Sequence, residues 1–293
     1  MATAAVKRKI VVCGGNGFLG TRICRAAAQR GWDVTSIGRS GEPSWSAVSS
    51  SSTAPKWSKS VTWTAANILQ PDSYKEHLKG ADAVVHSMGI LLEADYKGVI
   101  QGKESPIRGL QRAFSATKRG SQNPLTRKEG EVLKPQEEDG QLTYELMNRD
   151  SAITLAREAH AANSTTAFVY ISATAGAPFL PSRYLSTKRD AEATIAAEFP
   201  SMREIFIRPS FMFDSSRSFT LPIAAAGMVG SMVNSAMGRR LSWLIGAGGE
   251  KPLRVEAVGD AVVEAIGDEG VRGVVDVAEI DRLATKAWRK GML

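Results

Sequence analysis

Four polar side chains are spaced in a way that could move a proton to or from a carbonyl oxygen. Tyr184 and Lys188 are four residues apart, which places a phenol and an ammonium on one face of a helix. Ser172 ends a predicted strand twelve residues before Tyr184, and Asn148 lies on the helix before that strand. A nearby ammonium favours the phenolate of a tyrosine, whose pKa is otherwise about 10. The set therefore predicts acid–base catalysis centred on Tyr184.

A glycine-rich turn is the first element that must position these side chains. Three glycines at the spacing G-x-x-G-x-x-G follow the apolar strand Lys9–Cys13 and precede a predicted helix, Thr21–Arg30. In this context the glycines permit a tight turn, a close approach of the backbone to phosphate and the packing of helix on strand. The motif predicts a dinucleotide whose pyrophosphate lies at the helix N-terminus. The predicted contacts are Gly14, Gly17, Phe18, Leu19 and Gly20.

The residues after the second predicted strand, Asp33–Ile37, indicate which dinucleotide fits. An NAD-selective site has an acidic side chain here to accept the ribose hydroxyls. This chain has Arg39 followed by Ser40. A guanidinium pairs bidentately with a 2′-phosphate, so the sequence predicts NADP as the cofactor. The alternative interpretation of Arg39 is a solvated surface side chain.

With a dinucleotide bound, each member of the polar set has a predicted role in hydride transfer to a carbonyl group. Tyr184 donates the proton, Ser172 holds the carbonyl oxygen, and Lys188 binds the ribose and tunes Tyr184. Asn148 bends its helix and holds a water for proton relay. Taken singly, each residue also has an ordinary interpretation, such as a turn cap, a packing residue or a solvated helix face.

Predicted strands alternate with helices along the chain. The further strands are Val61–Ala65, Ala81–His86, Ala167–Ile171 and Glu204–Ile207, and the helices are Thr143–Ala162 and one that begins near Tyr184. This alternation predicts an α/β fold, a Rossmann-like doubly wound parallel sheet. Ligands of such sheets bind at the carboxyl ends of the strands. The predicted cofactor contacts at this edge are Asn67, His86, Ser87 and Gly89, with His86 interpreted as a packing residue and not as a catalytic base.

Composition limits the class of protein. The chain has 293 residues, a formal net charge of +7 and two cysteines, Cys13 and Cys24, without metal or disulfide spacing. We expect buried thiols in a reducing compartment. No signal peptide or cleavable presequence is evident, and the apolar run 219–237 is too polar for a membrane span. Residues 41–60, rich in serine, predict a flexible surface loop.

The excess of positive charge is concentrated in a segment without periodicity. Nine basic and three acidic residues lie between 97 and 134. We interpret about 94–141 as an insertion, either a solvated, mobile loop or a contact for an acidic partner or anionic lipid. Aromatic residues that could stack on bases are scarce in it, so no nucleic-acid partner is predicted.

These motifs together resemble the extended and atypical short-chain dehydrogenase/reductase superfamily over nearly the whole chain. The residues that carry the resemblance are Gly14, Gly17, Gly20, Arg39, Asn67, 85–89, Asn148, Ser172, Tyr184, Lys188, Arg208 and Pro209. The resemblance implies that Arg208 and Pro209 also contact the cofactor. Asn67 replaces the usual aspartate near the adenine, and its amide oxygen can still accept a hydrogen bond from the adenine amino group.

Within the superfamily the chain is most similar to fungal mitochondrial proteins of the ubiquinone (coenzyme Q) biosynthesis complex. The matching segments are 14–20, 85–93, 143–148 and 208–214. This similarity implies an NADP-dependent oxidoreductase that acts on a polyprenylated aromatic intermediate, with protein partners and peripheral association at the matrix side of the inner mitochondrial membrane. The alternative is a non-catalytic NADPH-binding scaffold or regulatory subunit. A complex I subunit of the atypical branch binds NADPH structurally and lacks the Tyr/Lys pair, which is present here.

The sequence predicts two regions. Residues 1–210 form the dinucleotide-binding domain with its basic insertion, and 211–293 form a small substrate-binding region whose last strand and helix return to the core. The apolar stretch 222–233, followed by Arg239, Arg240 and Trp243, is interpreted as a groove for an apolar substrate tail beside an interface anchor, or alternatively as core packing.

Overall fold

The computed structural model describes residues 7–49, 51–89, 143–163, 166–175, 182–214, 228, 231–232 and 250–292. The basic insertion and most of the apolar run 219–237 lie outside these residues, so the predictions made for them stay predictions. In the part of the chain that is described, no helix is both long and apolar enough to span a bilayer.

Nine strands and six α-helices are described in these ranges. The strands are β1 Lys9–Cys13, β2 Asp33–Gly38, β3 Val61–Ala65, β4 Ala83–His86, β5 Ala167–Ile171, β6 Arg203–Ile207, β7 Met212–Phe213, β8 Leu253–Arg254 and β9 Gly273–Val275. The helices are α1 Gly20–Gln29, α2 Trp45–Val48, α3 Ser151–Ala162, α4 Ser182–Glu198, α5 Val255–Gly267 and α6 Val277–Lys290. Short 3₁₀ turns occupy Lys56–Ser60, Pro71–Ser73 and Lys75–Leu78.

Seven of the strands form one parallel sheet in the order β3-β2-β1-β4-β5-β6-β9. β1 lies inside the sheet; from it the chain winds outward through β2 to β3, and then returns to continue from β4 on the other side of β1. The strand order therefore reverses between β1 and β4, which is where ligands bind in doubly wound sheets. The prediction of a Rossmann-like doubly wound α/β fold is confirmed.

Helices cover both faces of the sheet, so its strands are buried and almost continuously apolar. Ile10 and Val12 of β1 face one core, which also contains Ile23 of α1. Val11 and Cys13 face the other core, which α3 and α4 cover. Because side chains alternate along β1, this strand contributes to the hydrophobic cores on both faces of the sheet.

Most described residues of the predicted surface loop over 41–60 are exposed, but the segment also contains α2, a 3₁₀ turn and a cluster of tryptophans. Trp45 in α2 packs edge-on against Trp57 and Trp63, with ring centroids 5.6 and 5.8 Å apart. Only 8% of Trp45 is exposed. The serine content suggested mobility, but three aromatic rings supply enough apolar area to hold this segment against β3.

The C-terminal residues complete the parallel sheet. β9 pairs with β6, with Phe206 opposite Val274, while α5 packs between α1 and α6. The short strands β7 and β8 form a separate parallel pair. The division of the chain at about residue 210 stays a prediction.

Candidate functional site

The glycine turn after β1 has a conformation that requires glycine. Gly14 has φ +86°, and its amide donates to the carbonyl of Ile37 in β2 at 2.7 Å. A Cβ atom on Gly20 would overlap the carbonyl oxygen of Gly14. The start of α1 therefore lies directly against the turn, as the sequence motif predicts.

This turn fits the pyrophosphate of a dinucleotide. Leu19 occupies the N-cap of α1, no side chain caps the helix, and its first turn contains no acidic residue. The amides of Thr21 and Arg22 donate to the carbonyls of Gly17 and Leu19 at 3.0 and 2.9 Å. The dipole of the helix still favours an anion at this uncapped N-terminus. The ring of Phe18, next to Leu19 in the sequence, is half-buried. The guanidinium carbon of Arg22 lies 5.2 Å from the centre of this ring.

Asn16, in the glycine turn after β1, contacts the end of β2 and was missed by sequence reasoning. Asn16 donates through Nδ2 to Ser40 Oγ at 2.9 Å, and a Cβ atom on Gly38 would overlap its amide. Asn16 therefore links the glycine turn to the exposed residues Arg39 and Ser40. Its position inside the glycine motif was visible in the sequence, but its contact with β2 depends on how the two strand ends meet.

Three other predicted contacts lie at the same edge. Asn67 Oδ1 accepts from the amide of Leu69 at 3.1 Å, so this oxygen already holds a turn. Ser87 Oγ donates to the carbonyl of Cys13 at 3.0 Å and ties the end of β4 to β1. Gly89 is exposed. Their contacts with a cofactor stay predictions.

His86 is fully buried, and it serves packing and hydrogen bonding. Its Nε2 lies 2.9 Å from Ser151 Oγ, which itself donates to the carbonyl of Met147. Because the only hydroxyl proton of Ser151 goes to that carbonyl, the imidazole donates through Nε2. Burial and the charge of Lys188 lower the pKa of His86 to about 3, so the ring is neutral at physiological pH. These contacts agree with its interpretation as a packing residue.

Lys188 lies at the centre of the predicted catalytic set. Its Nζ donates to the carbonyl of Ile171 at 2.9 Å and lies 5.2 Å from the ring centre of Tyr170 and 5.7 Å from that of Tyr184. A Cβ atom on Gly89 would lie 3.6 Å from this Nζ. The ammonium is therefore enclosed by aromatic rings and backbone at the end of β5.

Burial changes both members of the Tyr/Lys pair. It lowers the pKa of Lys188 to about 7 and raises the pKa of Tyr184 to about 12. Desolvation of the phenolate outweighs the charge of Arg189, which acts to lower the pKa of Tyr184. The lowering of this pKa by Lys188 and an oxidised nicotinamide stays a prediction for the chain with its cofactor bound. The lysine itself is only partly charged near neutral pH. Tyr184 is a protonated phenol, which is the form that donates a proton.

Asn148 lies on a π-helical segment, Glu145–Asp150, that leads into α3. The sequence predicted a continuous α-helix from Thr143, whereas the structure has a π-helical segment at its start. The hydroxyl of Tyr170 donates to the backbone carbonyl of Asn148. The side-chain Oδ1 of Asn148 lies close to Gly89, where an added Cβ atom would be 2.8 Å from it. Single π-helical turns widen a helix and are frequent at functional sites. The segment brings Asn148 towards Gly89 and Lys188.

Ser172 is held by two residues that the sequence analysis did not identify. Arg189 Nη1 donates to Ser172 Oγ at 3.0 Å and to Glu192 Oε1 at 2.9 Å. Glu192 also accepts hydrogen bonds from both Nε and Nη2 of Arg208. The i,i+3 spacing of Arg189 and Glu192 indicates an ion pair, but nothing local shows that it points at Ser172.

The structure therefore gives Arg208 and Pro209 a local role at the end of β6. Arg208 forms a bidentate pair with Glu192. The carbonyl of Pro209 accepts from the amide of Thr174 at 3.0 Å. Contact of either residue with a cofactor stays a prediction.

Comparison with known proteins identifies relatives of the chain. Residues 10–97 match the NAD dependent epimerase/dehydratase family. MIOREX complex component 2 of Saccharomyces cerevisiae is 39% identical over 223 residues, which cover 72% of this chain and 74% of the yeast protein. An uncharacterised chloroplastic protein of Arabidopsis thaliana is 38% identical over 81 residues, 28% of this chain and 24% of that protein.

Solved structures share the fold at low identity. MoeE5 in complex with UDP-glucuronic acid and NAD has a TM-score of 0.52 and 14% identity, covering 92% of this chain and 76% of that one. A candidate gluconate dehydrogenase from Agrobacterium tumefaciens has a TM-score of 0.52 and 13% identity, covering 94% and 95%. With the match to the yeast protein, these findings confirm the resemblance to short-chain dehydrogenases: the chain belongs to the epimerase and short-chain dehydrogenase-type oxidoreductase family, which binds nicotinamide dinucleotides.

Proposed function

We propose that the protein is an NADP-dependent oxidoreductase that reduces a carbonyl group of a polyprenylated aromatic intermediate in ubiquinone biosynthesis. The observation that carries this proposal is the burial of Lys188 against the ring of Tyr184 at the end of β5, on the ligand-binding edge of the sheet. An ordinary helix surface does not bury a lysine in this way, because the desolvation of its charge is costly.

The side chains divide the work of carbonyl reduction. The cofactor, when bound, supplies a hydride. Tyr184 is protonated at neutral pH and donates its proton to the carbonyl oxygen, while Ser172 holds that oxygen by a hydrogen bond. Lys188 binds the ribose, and Asn148 anchors the relay that returns a proton to Tyr184. The raised pKa of Tyr184 favours reduction, since oxidation of an alcohol needs the phenolate.

The preference for NADP rests on the end of β2. Arg39 and Ser40 are both exposed there, and Asn16 reaches the same point through Ser40. The nearest acidic side chain along the sequence, Glu42, is exposed and accepts from the indole of Trp45 at 3.0 Å through one carboxylate oxygen. A 2′-phosphate would meet a guanidinium, a hydroxyl and an amide.

The pathway and the location rest on family resemblance. We place the protein at the matrix side of the inner mitochondrial membrane, peripherally bound and associated with proteins of the ubiquinone biosynthesis complex. The name of the yeast relative describes it as a component of a complex, which supports protein partners.

The proposal is tested by NADPH oxidation with polyprenylated aromatic carbonyl compounds, including quinones, as substrates. We expect Tyr184→Phe to lower kcat by about 10²- to 10⁴-fold, the usual contribution of a general acid, with the Kd for NADPH little changed. Tyr74→Phe is the matched control, because its buried hydroxyl has no hydrogen-bond partner among the described residues. Equal rates for Tyr184→Phe and wild type, or no turnover by wild type, would contradict the proposal.

A second candidate function is a non-catalytic NADPH-binding subunit, which the name of the yeast relative favours. Complementation of a deletion strain separates the two functions. A scaffold predicts that Tyr184→Phe complements fully whereas Gly20→Ala, which disturbs the glycine turn, does not. An enzyme predicts that both variants fail.

A further inference from the structure

Arg189 has a set of contacts that an ordinary helix-surface arginine would not have. Besides Ser172 and Glu192, it donates through Nη2 to the carbonyls of Ala173 at 2.7 Å and Thr174 at 3.1 Å. The guanidinium thus spans the three residues that follow β5. Its planar fork fixes the backbone and the hydroxyl of Ser172 in one orientation.

Glu192 explains why the guanidinium stays in this position. Its side chain is only 6% exposed and pairs with both Arg189 and Arg208. Two arginines and one carboxylate leave a net charge of +1 in a partly desolvated place. An arginine does not lose its proton in proteins, so this charge persists across the working pH range.

The direction of the hydrogen bond decides what Ser172 can do. Because Arg189 has only donors, Ser172 Oγ is the acceptor in this bond. Among the described residues no side chain or carbonyl accepts from the Ser172 hydroxyl, so its hydrogen can be donated to a substrate oxygen. A hydroxyl that accepts from a cation also becomes a stronger donor. A serine held in this way presents its hydrogen to a substrate oxygen on which negative charge develops.

We propose that Arg189, held by Glu192, is a positioning residue that orients the Ser172 hydroxyl towards the substrate carbonyl oxygen. This inference rests on the proposed function. In the step it assists, hydride from NADPH bonds to the carbonyl carbon, the π electron pair moves to oxygen, and the proton of Tyr184 bonds to that oxygen. NADPH becomes NADP⁺, Tyr184 regains a proton from solvent, and Arg189 remains protonated throughout.

Lysine cannot replace arginine in this arrangement. One ammonium cannot reach Ser172 Oγ and the carbonyls of Ala173 and Thr174 in the geometry of the guanidinium fork. Arg189→Lys keeps the charge and the aliphatic stem, so it separates orientation from net charge.

The experiment measures kcat and KM for carbonyl reduction in wild type, Arg189→Met, Arg189→Lys and Ser172→Ala, and in both Arg189 variants combined with Ser172→Ala. We expect each Arg189 variant to lower kcat about 10- to 100-fold, with KM and the Kd for NADPH changed less than about threefold. In the Ser172→Ala background, the same substitutions should change kcat less than about twofold, because Arg189 acts through Ser172. Arg157→Lys, on the exposed side of α3, is the control.

The outcomes separate the two proposals. Equal losses in the two backgrounds, or no loss in either, would overturn the role of Arg189 while leaving the reductase intact. Absence of turnover in wild type would overturn the proposed function and this inference with it. If Arg189→Met does not fold, Arg189→Lys, which retains the stem and the charge, supplies the same comparison.

Discussion

The two sides of the carboxyl edge of the sheet differ in the groups that form the candidate site. Around β1, β2 and β4, which we call the glycine side, the site consists of backbone amides, glycines and an uncapped helix. Around β5 and β6, which we call the charged side, it consists of buried charged side chains, of which Lys188 and Glu192 are less than a tenth exposed. The glycine side is specified by turn geometry, whereas the charged side depends on side-chain contacts between distant segments.

This difference predicts how each side responds to substitution. On the glycine side any added atom meets backbone, which cannot move without disturbing the sheet. On the charged side a substitution can be accommodated sterically, but removal of one partner leaves a buried polar or charged group unpaired. We therefore expect substitutions on the glycine side to weaken cofactor binding. We expect substitutions on the charged side to lower catalytic rate and to change the pH dependence.

Gly20→Ala should have the broadest effect, because it disturbs both stability and cofactor binding. The new Cβ would overlap the carbonyl of Gly14, so we expect the free energy of unfolding to fall by about 1–3 kcal/mol and NADPH binding to weaken at least about tenfold. Fluorescence titration and urea unfolding measure the two effects. Gly291→Ala is the control, because its Cβ would be 3.5 Å from the nearest atom. Unchanged NADPH affinity in Gly20→Ala would refute the importance of this backbone approach.

Arg39→Ala should act on cofactor choice alone. Loss of a charged hydrogen-bond donor to the 2′-phosphate costs about 1.5–3 kcal/mol, so NADPH affinity should fall by about 10- to 100-fold. NADH lacks that phosphate, and its affinity should change less than about threefold. Stability should not change, because the side chain is exposed. Equal loss of affinity for NADPH and NADH would remove the basis for choosing NADP.

Lys188→Met should reveal the buried charge through pH. The pKa of Lys188 is about 7 in the folded chain against an ordinary value of 10.5, so above pH 7 the unfolded state binds more protons. The free energy of unfolding of wild type, minus that of Lys188→Met, should therefore rise by about 1 kcal/mol between about pH 7 and about pH 8.

Urea unfolding across this range checks the slope. Lys251→Met, which removes an exposed lysine paired with an exposed Asp281, should give no slope relative to wild type. A difference between wild type and Lys188→Met that is flat or falls with pH would show that the lysine is not desolvated in the folded chain.

The sequence predicted the glycine side better than the charged side. Gly14, Gly17 and Gly20 act through local geometry, which their spacing and the flanking strand and helix reveal. The π-helical turn at Asn148, the link from Asn16 to Ser40 and the hold of Arg189 on Ser172 join segments that are distant in the sequence or depend on how strand ends meet. The lowered pKa of Lys188 likewise follows from burial, which residue spacing does not show.

The tryptophan cluster illustrates the same limit. Serines and prolines over 41–60 suggested a loop, and only the folded chain shows that Trp45 and Trp57 meet Trp63 of β3. Composition did not reveal these contacts, because a few large aromatic side chains can hold a segment that otherwise consists of small polar residues.

The central claim is that the cofactor held by the glycine side reacts at the charged side. Its most direct test is incubation of the protein with NADPH carrying deuterium at the transferred C4 position and a polyprenylated aromatic aldehyde or ketone. A quinone is not used here, because its ring aromatises after reduction and loses the carbon-bound deuterium. Mass spectrometry should find one deuterium on the former carbonyl carbon with wild type and about 10²- to 10⁴-fold slower incorporation with Tyr184→Phe. Tight NADPH binding without deuterium transfer to any such substrate would contradict the account.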